Sequence, residues 1–314
     1  MIINLLWMFT GFILLFIGGS FIIRSSISLS LKLNLSKLVI GMTVVAFATS
    51  LPELLVSVTA ALNGSPSIAI NNVIGSNIAN IGLVLGITCM IGAINVKETF
   101  YRIDWPAMMI FSIILWILVR DNKLDEIEGG LLLLLLIIFI SYVIKFSLTK
   151  YKESSIDNSL VYSSSFKIFV WVIIASLALY FGSGWLVFGA VNFASDMGVS
   201  EGVVALSVIA IGTSIPELAT SLLAIIKGEK GISLGNLIGS NIFNIGSVLG
   251  ITAIIKPIVV DDWGIFSRDI IIMIAFASAV MLLARLPKRH AIGKTKGFFL
   301  LLLYSIFMLY IIWP

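Results

Sequence analysis

Asn72-Val-Ile-Gly-Ser-Asn-Ile-Ala-Asn-Ile-Gly-Leu-Val-Leu-Gly-Ile-Thr88 returns 164 residues later as Asn236-Leu-Ile-Gly-Ser-Asn-Ile-Phe-Asn-Ile-Gly-Ser-Val-Leu-Gly-Ile-Thr252, differing only at positions 73, 79 and 83. At the same offset Ala48-Thr-Ser-Leu-Pro-Glu53 meets Gly212-Thr-Ser-Ile-Pro-Glu217. The chain is therefore two copies of one unit. Its 314 residues are 59% hydrophobic and 11% charged, against about 45–50% and about 25% in soluble domains, which excludes a water-soluble globule.

Apolar runs fall near 2–23, 38–62, 68–94, 105–119 and 129–148, then 166–188, 202–226, 232–256, 268–284 and 297–313. At about 20 residues per membrane-spanning helix these predict ten spans and leave no room for a sizeable extramembrane domain. Each copy holds five, an odd number, so the second copy enters the membrane in the opposite direction. The expected fold is an all-α membrane protein of ten transmembrane helices in two inverted five-helix repeats, 1–148 and 166–314. A Ser- and charge-rich cytoplasmic linker, 149–165, joins them. Inverted repeats place their site at the bilayer midplane and build it from broken helices.

The first run has no basic segment before it and no small-residue cleavage pattern after it, so it reads as a retained helix. With both termini outside, sixteen of the twenty Lys and Arg residues lie on the cytoplasmic side, leaving Arg120, Lys123, Lys256 and Arg268 outside; the positive-inside rule supports that orientation. The basic loops are thus topology signals, with no nucleic-acid partner implied and no obligate protein partner evident; the bilayer is the expected surrounding. Trp7, Trp105, Trp116, Trp185 and Trp263 are read as headgroup anchors. Cys89 is the one cysteine, which excludes an internal disulfide or a thiolate cluster.

Two carboxylates remain deep in the spans, Glu53 and Glu217. Burying a charge at a helix centre costs on the order of 2.5–3.5 kcal/mol on insertion scales, so a pair needs a physical reason. A salt bridge fails on inventory, because every Lys and Arg falls in a loop or near a span end and His290 is in a basic loop. Either the acids are protonated or a mobile cation balances them, and the neighbourhood favours the cation. Pro52 and Pro216 deprive the carbonyls of Ala48 and Gly212 of their helical partners and predict a break there. Thr49, Ser50 and Ser57 share the face of Glu53, as Thr213, Ser214 and Ser221 share that of Glu217. Ser76 and Asn80, like Ser240 and Asn244, add polar faces one turn apart; position alone leaves the asparagines as ligands or as interhelical hydrogen-bond glue. All these donors are hard oxygens, which suit Ca²⁺ and exclude metals that seek thiolate or imidazole. Gly82 and Gly86, with Gly246 and Gly250, predict close helix packing. Gly18, Gly19 and Ser20, with Gly182, Ser183 and Gly184, predict either packing or a sliding helix pair.

The doubled motif, Gly41–Ala61 with Asn72–Thr88 and Ala205–Ile225 with Asn236–Thr252, resembles the calcium/cation antiporters, especially prokaryotic sodium/calcium exchangers. The resemblance implies a multi-pass protein of a prokaryotic plasma membrane that needs no cofactor and transports Ca²⁺ and Na⁺. It further implies that Glu53 and Glu217 are the principal Ca²⁺ ligands. Thr49, Ser50, Thr213 and Ser214 would supply further oxygens, with Ser76, Asn80, Ser240, Asn244, Ala46 and Ala210 completing the set, and the first and sixth helices would form a sliding gate. Ala48 stands where Gly is usual, and Asn244 where some relatives carry Asp. Leu54 and Leu218 follow the glutamates where proton-coupled cousins place His, which disfavours Ca²⁺/H⁺ exchange. The expected activity is Na⁺/Ca²⁺ antiport by alternating access, with Ca²⁺/H⁺ or K⁺-dependent exchange as the alternative. An intramembrane hydrolase using the two acids is disfavoured, because no nucleophile with a base and no metal-binding histidine pair accompanies them.

Overall fold

A computed structural model describes residues 1–150, 164–197, 212–259, 268–286 and 290–312, and the side chains of all of these except 149, 150 and 312. Ala210, Trp263, most of the linker and the first half of the seventh predicted span lie outside the described residues. The rest is almost wholly helical: α1 Ile2–Leu33, α2 Lys37–Thr49, α3 Leu51–Leu62, α4 Pro66–Ile91, α5 Phe100–Asp121 and α6 Glu126–Lys150 in the first half. The second half contributes α7 Ser165–Asp196, α8 Ile215–Ile226, α9 Lys230–Ile255, α10 Ile270–Arg285 and α11 Lys294–Ile312. Among the described residues seven helices are long and apolar enough to cross a membrane, α2 and α3 make an eighth as a pair bent by 41°, and α8 and α10 are shorter apolar helices.

Two-residue ladders tie the halves together at loop level. β1 (Ile94–Asn95) pairs antiparallel with β4 (Ala291–Ile292), and β2 (Lys123–Leu124) with β3 (Ile258–Val259). Lys37 of the first half pairs with Glu229 of the second at 2.9 Å. The first ladder and the Lys37–Glu229 pair each join loops expected from the sequence on one side, and the second ladder joins two loops expected on the other.

The main core is formed by α4 and α9 with α5, α6, α10 and α11 around them. Repeated glycines set its close approaches: a Cβ on Gly86 would meet Leu301 and the Gly297 carbonyl, and one on Gly250 the Gly129 carbonyl. Packing is thus the role the structure gives these small-residue pairs. A second, smaller cluster of Leu15, Ile22, Ile23, Ala175, Leu179 and Leu223 joins α1 and α7 to α8. α1 lies along α7, and a Cβ on Gly11 would fall 2.5 Å from the Leu186 nitrogen, so their backbones touch. Their outer faces carry Phe9, Phe12, Phe16, Phe169 and Phe188, all more than half exposed. Such a surface suits lipid, where apolar side chains have nothing to escape from.

Three local features differ from the sequence reading. α1 continues ten residues beyond its apolar run, because Ser25, Ser26, Ser28 and Ser30 are buried against protein and need no lipid-compatible face. Trp105 donates its Nε1–H to the Ala277 carbonyl at 2.7 Å, as an indole does when a helix offers it a partner, and Trp116 packs against the core. The break in the second span falls at Ser50 (φ −84°, ψ 1°), after Ala48 and before Pro52. Pro52 thereby occupies the first turn of α3, where a missing N–H costs nothing.

Candidate functional site

Ser214 (φ −86°, ψ 2°) precedes α8 as Ser50 precedes α3, with Pro216 in the first turn. Each break places a glutamate in the first turn of a new helix, Glu53 in α3 and Glu217 in α8. There the helix carries roughly half a positive charge, which eases the burial of an anion. Both side chains have zero exposure and lie within electrostatic reach of each other. Among the described residues no cation pairs with either, and no well-formed hydrogen bond reaches their four carboxylate oxygens, although the Thr49 and Ser240 hydroxyls lie close enough to interact with the Glu217 carboxylate.

The surrounding groups form two pseudo-symmetric sets, each drawn from both halves. In one, the Thr49 hydroxyl lies 3.1 Å from Asn236 Oδ1 and 3.2 Å from Ser240 Oγ. In the other, the Thr213 hydroxyl lies 3.3 Å from Asn72 Oδ1 and 3.0 Å from Ser76 Oγ. Asn72 donates to the Glu53 carbonyl and to Ser57 Oγ, and Asn236 donates to Thr220 and Ser221. Ser57 and Ser221 thus hold these amides. Because a backbone carbonyl can only accept, Asn72 must face it with nitrogen, and its oxygen is left to take the Thr213 proton. Thr213 has no second proton, so Ser76 donates to it, and the lone pairs of these hydroxyls remain available.

Asn80 and Asn244 each head a π-helical segment, Asn80–Leu85 in α4 and Asn244–Leu249 in α9; such bulges recur at functional sites. Their nitrogens are taken across the halves, Asn80 Nδ2 by Asn241 Oδ1 at 3.4 Å and Asn244 Nδ2 by Asn77 Oδ1 at 3.1 Å. Their oxygens are not: Oδ1 of Asn80 and Asn244 and Oγ of Ser50 and Ser214 are buried without a partner. Ala46 is fully buried beneath Thr49, its carbonyl accepting from Ser50 N at 3.0 Å. Ala48 and Gly212 are buried just ahead of the two breaks. Sequence reading passed over Asn72, Asn236, Asn77 and Asn241 as ordinary members of the repeat. The signal that finds them is an amide held identically in both copies of an apolar span.

A cavity of about 640 Å³ reaches this region, bounded by Pro52, Asn72, Ser76, Phe181, Gly184 and Thr213. It lies between α3, α4 and α7. α2 and α9, neither of which lines this cavity, touch backbone to backbone, since a Cβ on Gly239 would fall 2.6 Å from Met42 Cα.

A family model described as sodium/calcium exchanger protein matches residues 3–145 and 167–313. The chain belongs to the sodium/calcium exchanger family. As a family member it is a transporter of the membrane-embedded helical kind. The sodium/calcium exchanger MaX1 of Methanosarcina acetivorans is 27% identical, covering 98% of this chain and 97% of its own. The inner membrane protein YrbG of Escherichia coli is 34% identical over 80% of each chain. Among solved structures, the sodium-calcium exchanger NCX_Mj soaked with zero Na⁺ and Ca²⁺ matches with a TM-score of 0.83 at 31% identity over 99% of both chains. The same protein soaked with Na⁺ and Sr²⁺ gives 0.82.

Proposed function

We propose that this exchanger moves Ca²⁺ out of a prokaryotic cell against Na⁺ entering, through ten spans in two inverted repeats, 1–148 and 166–314, with both termini outside and the 149–165 linker in the cytoplasm. One observation carries the reading. The unpartnered buried polar atoms at the junction of the halves are carboxylate, amide and hydroxyl oxygens, while the neighbouring amide nitrogens are already bonded. Such a surplus of acceptors suits a cation, and flexible oxygen coordination with two carboxylates suits Ca²⁺. Glu53 and Glu217 are its principal ligands. Ser50, Ser214, Asn80 and Asn244 offer their free oxygens, Thr49, Thr213, Ser76 and Ser240 their lone pairs, and Ala46 and Ala210 their carbonyls.

Coupling follows from charge. Two carboxylates give the site about −2, which one Ca²⁺ neutralises and Na⁺ ions neutralise in its place. The empty site, a pair of uncompensated charges in a water-poor cavity, resists moving to the other face, so exchange prevails over leak. The 640 Å³ cavity is the access route from the outside, and the closed α2–α9 contact seals the cytoplasmic route. Alternation then requires the α1–α7 pair, packed through its own small cluster, to slide on the core.

Purified protein in Na⁺-loaded proteoliposomes should take up ⁴⁵Ca²⁺ only while an outward Na⁺ gradient persists. Uptake that follows an imposed H⁺ gradient and ignores Na⁺ would overturn the coupling. Glu53→Gln retaining full exchange would remove Glu53 from the site.

A further inference from the structure

Asn77 and Asn241 are nearly fully buried, at 3% and 2% exposure, and reach across to the opposite half. Asn77 donates from Nδ2 to the Asn241 carbonyl at 3.2 Å and also faces Met273 Sδ at 3.5 Å. Both neighbours can only accept, so the nitrogen end of Asn77 is fixed there and its oxygen must point the other way. That oxygen meets Asn244, which is obliged to present its Nδ2. Asn244 Oδ1 is consequently turned to the side where, among the described residues, no donor lies. The second arm runs in parallel: Asn241 Nδ2 faces Met108 Sδ at 3.5 Å, its Oδ1 takes Asn80 Nδ2, and Asn80 Oδ1 is left free. Each arm begins at an acceptor-only atom and ends at an unpartnered oxygen.

We propose that Asn77 and Asn241 are positioning residues that set the polarity of Asn244 and Asn80, so that each presents an oxygen, never an N–H, to the transported cation. The inference rests on the site assignment above and adds the device that orients it. Without Asn77, the Asn244 amide is free to turn about its last torsion, and half of its orientations direct an N–H at the ion.

The test is a double-mutant cycle on Na⁺-dependent ⁴⁵Ca²⁺ transport, with Asn77→Leu, Asn244→Leu and the pair. Asn77→Leu should raise the Ca²⁺ half-saturation concentration by about tenfold, the scale of one oriented neutral hydrogen bond, with the maximal rate retained. In the Asn244→Leu background the same change should add nothing, because Asn77 acts only through Asn244. Additive effects, or a fall in maximal rate at unchanged half-saturation, would overturn the proposal. Asn77→Ser repeats the cycle with a smaller polar side chain should the leucine variant not fold. Failure of the ion assignment itself would appear separately, as unimpaired exchange in Glu217→Gln.

Discussion

Replacing Glu217 by Gln keeps the shape of a fully buried side chain and removes one of two carboxylates that no cation balances among the described residues. Two opposite effects follow. Without ions the variant should be the more stable protein, because exchanging buried charge for a neutral group of similar size is worth roughly 1–4 kcal/mol. Cation binding should weaken, since taking one member from a buried charge pair costs about 3–5 kcal/mol, at least about a hundredfold in Kd. At a Ca²⁺ concentration of about 100 times the wild-type Kd, binding stabilises the wild type by about 2.7 kcal/mol, while a hundredfold weaker variant gains RT ln 2, about 0.4 kcal/mol. The assay is thermal unfolding in detergent at neutral pH, in chelator and in Ca²⁺. The melting curves should cross, with the variant higher in chelator and gaining little from Ca²⁺. A variant that melts below the wild type in chelator, or gains equally from Ca²⁺, would refute the claim that these carboxylates are uncompensated without an ion.

Gly11→Val should separate α1 from α7, as its Cβ would lie 2.5 Å from the Leu186 nitrogen; overpacking of this kind costs about 1–3 kcal/mol, and a lowered melting temperature with slower exchange would be the readout. Lys37→Glu should lower stability by about 1 kcal/mol or less, because Lys37 is a third exposed and such pairs are weak. Lys37→Glu with Glu229→Lys should restore it, and a double variant worse than either single would contradict the pairing. Cys89 is buried with zero exposure, so a water-soluble maleimide should label it only on unfolding; rapid labelling of native protein would show the α4 packing to be wrong.

Much of this arrangement is written in the amino-acid order because a membrane punishes misplaced polarity. Glu53 and Glu217 stand out as acids in apolar runs, and the offset of 164 residues makes them equivalents before any coordinates exist. The prolines announce a broken helix, although the residue that turns, Ser50, is found only from its dihedral angles, since proline restricts the preceding turn without naming the hinge. Hydropathy ends α1 at Arg24, while the helix ends at Asn34 in the left-handed region, because serines buried against protein are invisible to a lipid scale. Trp105 and Trp116 look like headgroup residues from position alone; their inward packing depends on α10 and the core. The amide orientations were out of reach, because they follow from chains of donors and acceptors that cross between halves far apart in sequence.

The exchange of partners between the halves, Asn77 with Asn244 and Asn241 with Asn80, bears on the origin of the molecule. Either half alone would expose Asn80 or Asn244 with nothing to steer it, so neither unit is self-sufficient. Two identical units facing each other would satisfy every one of these bonds at once. A symmetric pair of such five-helix units would hold both bonds, each unit steering the asparagine of the other.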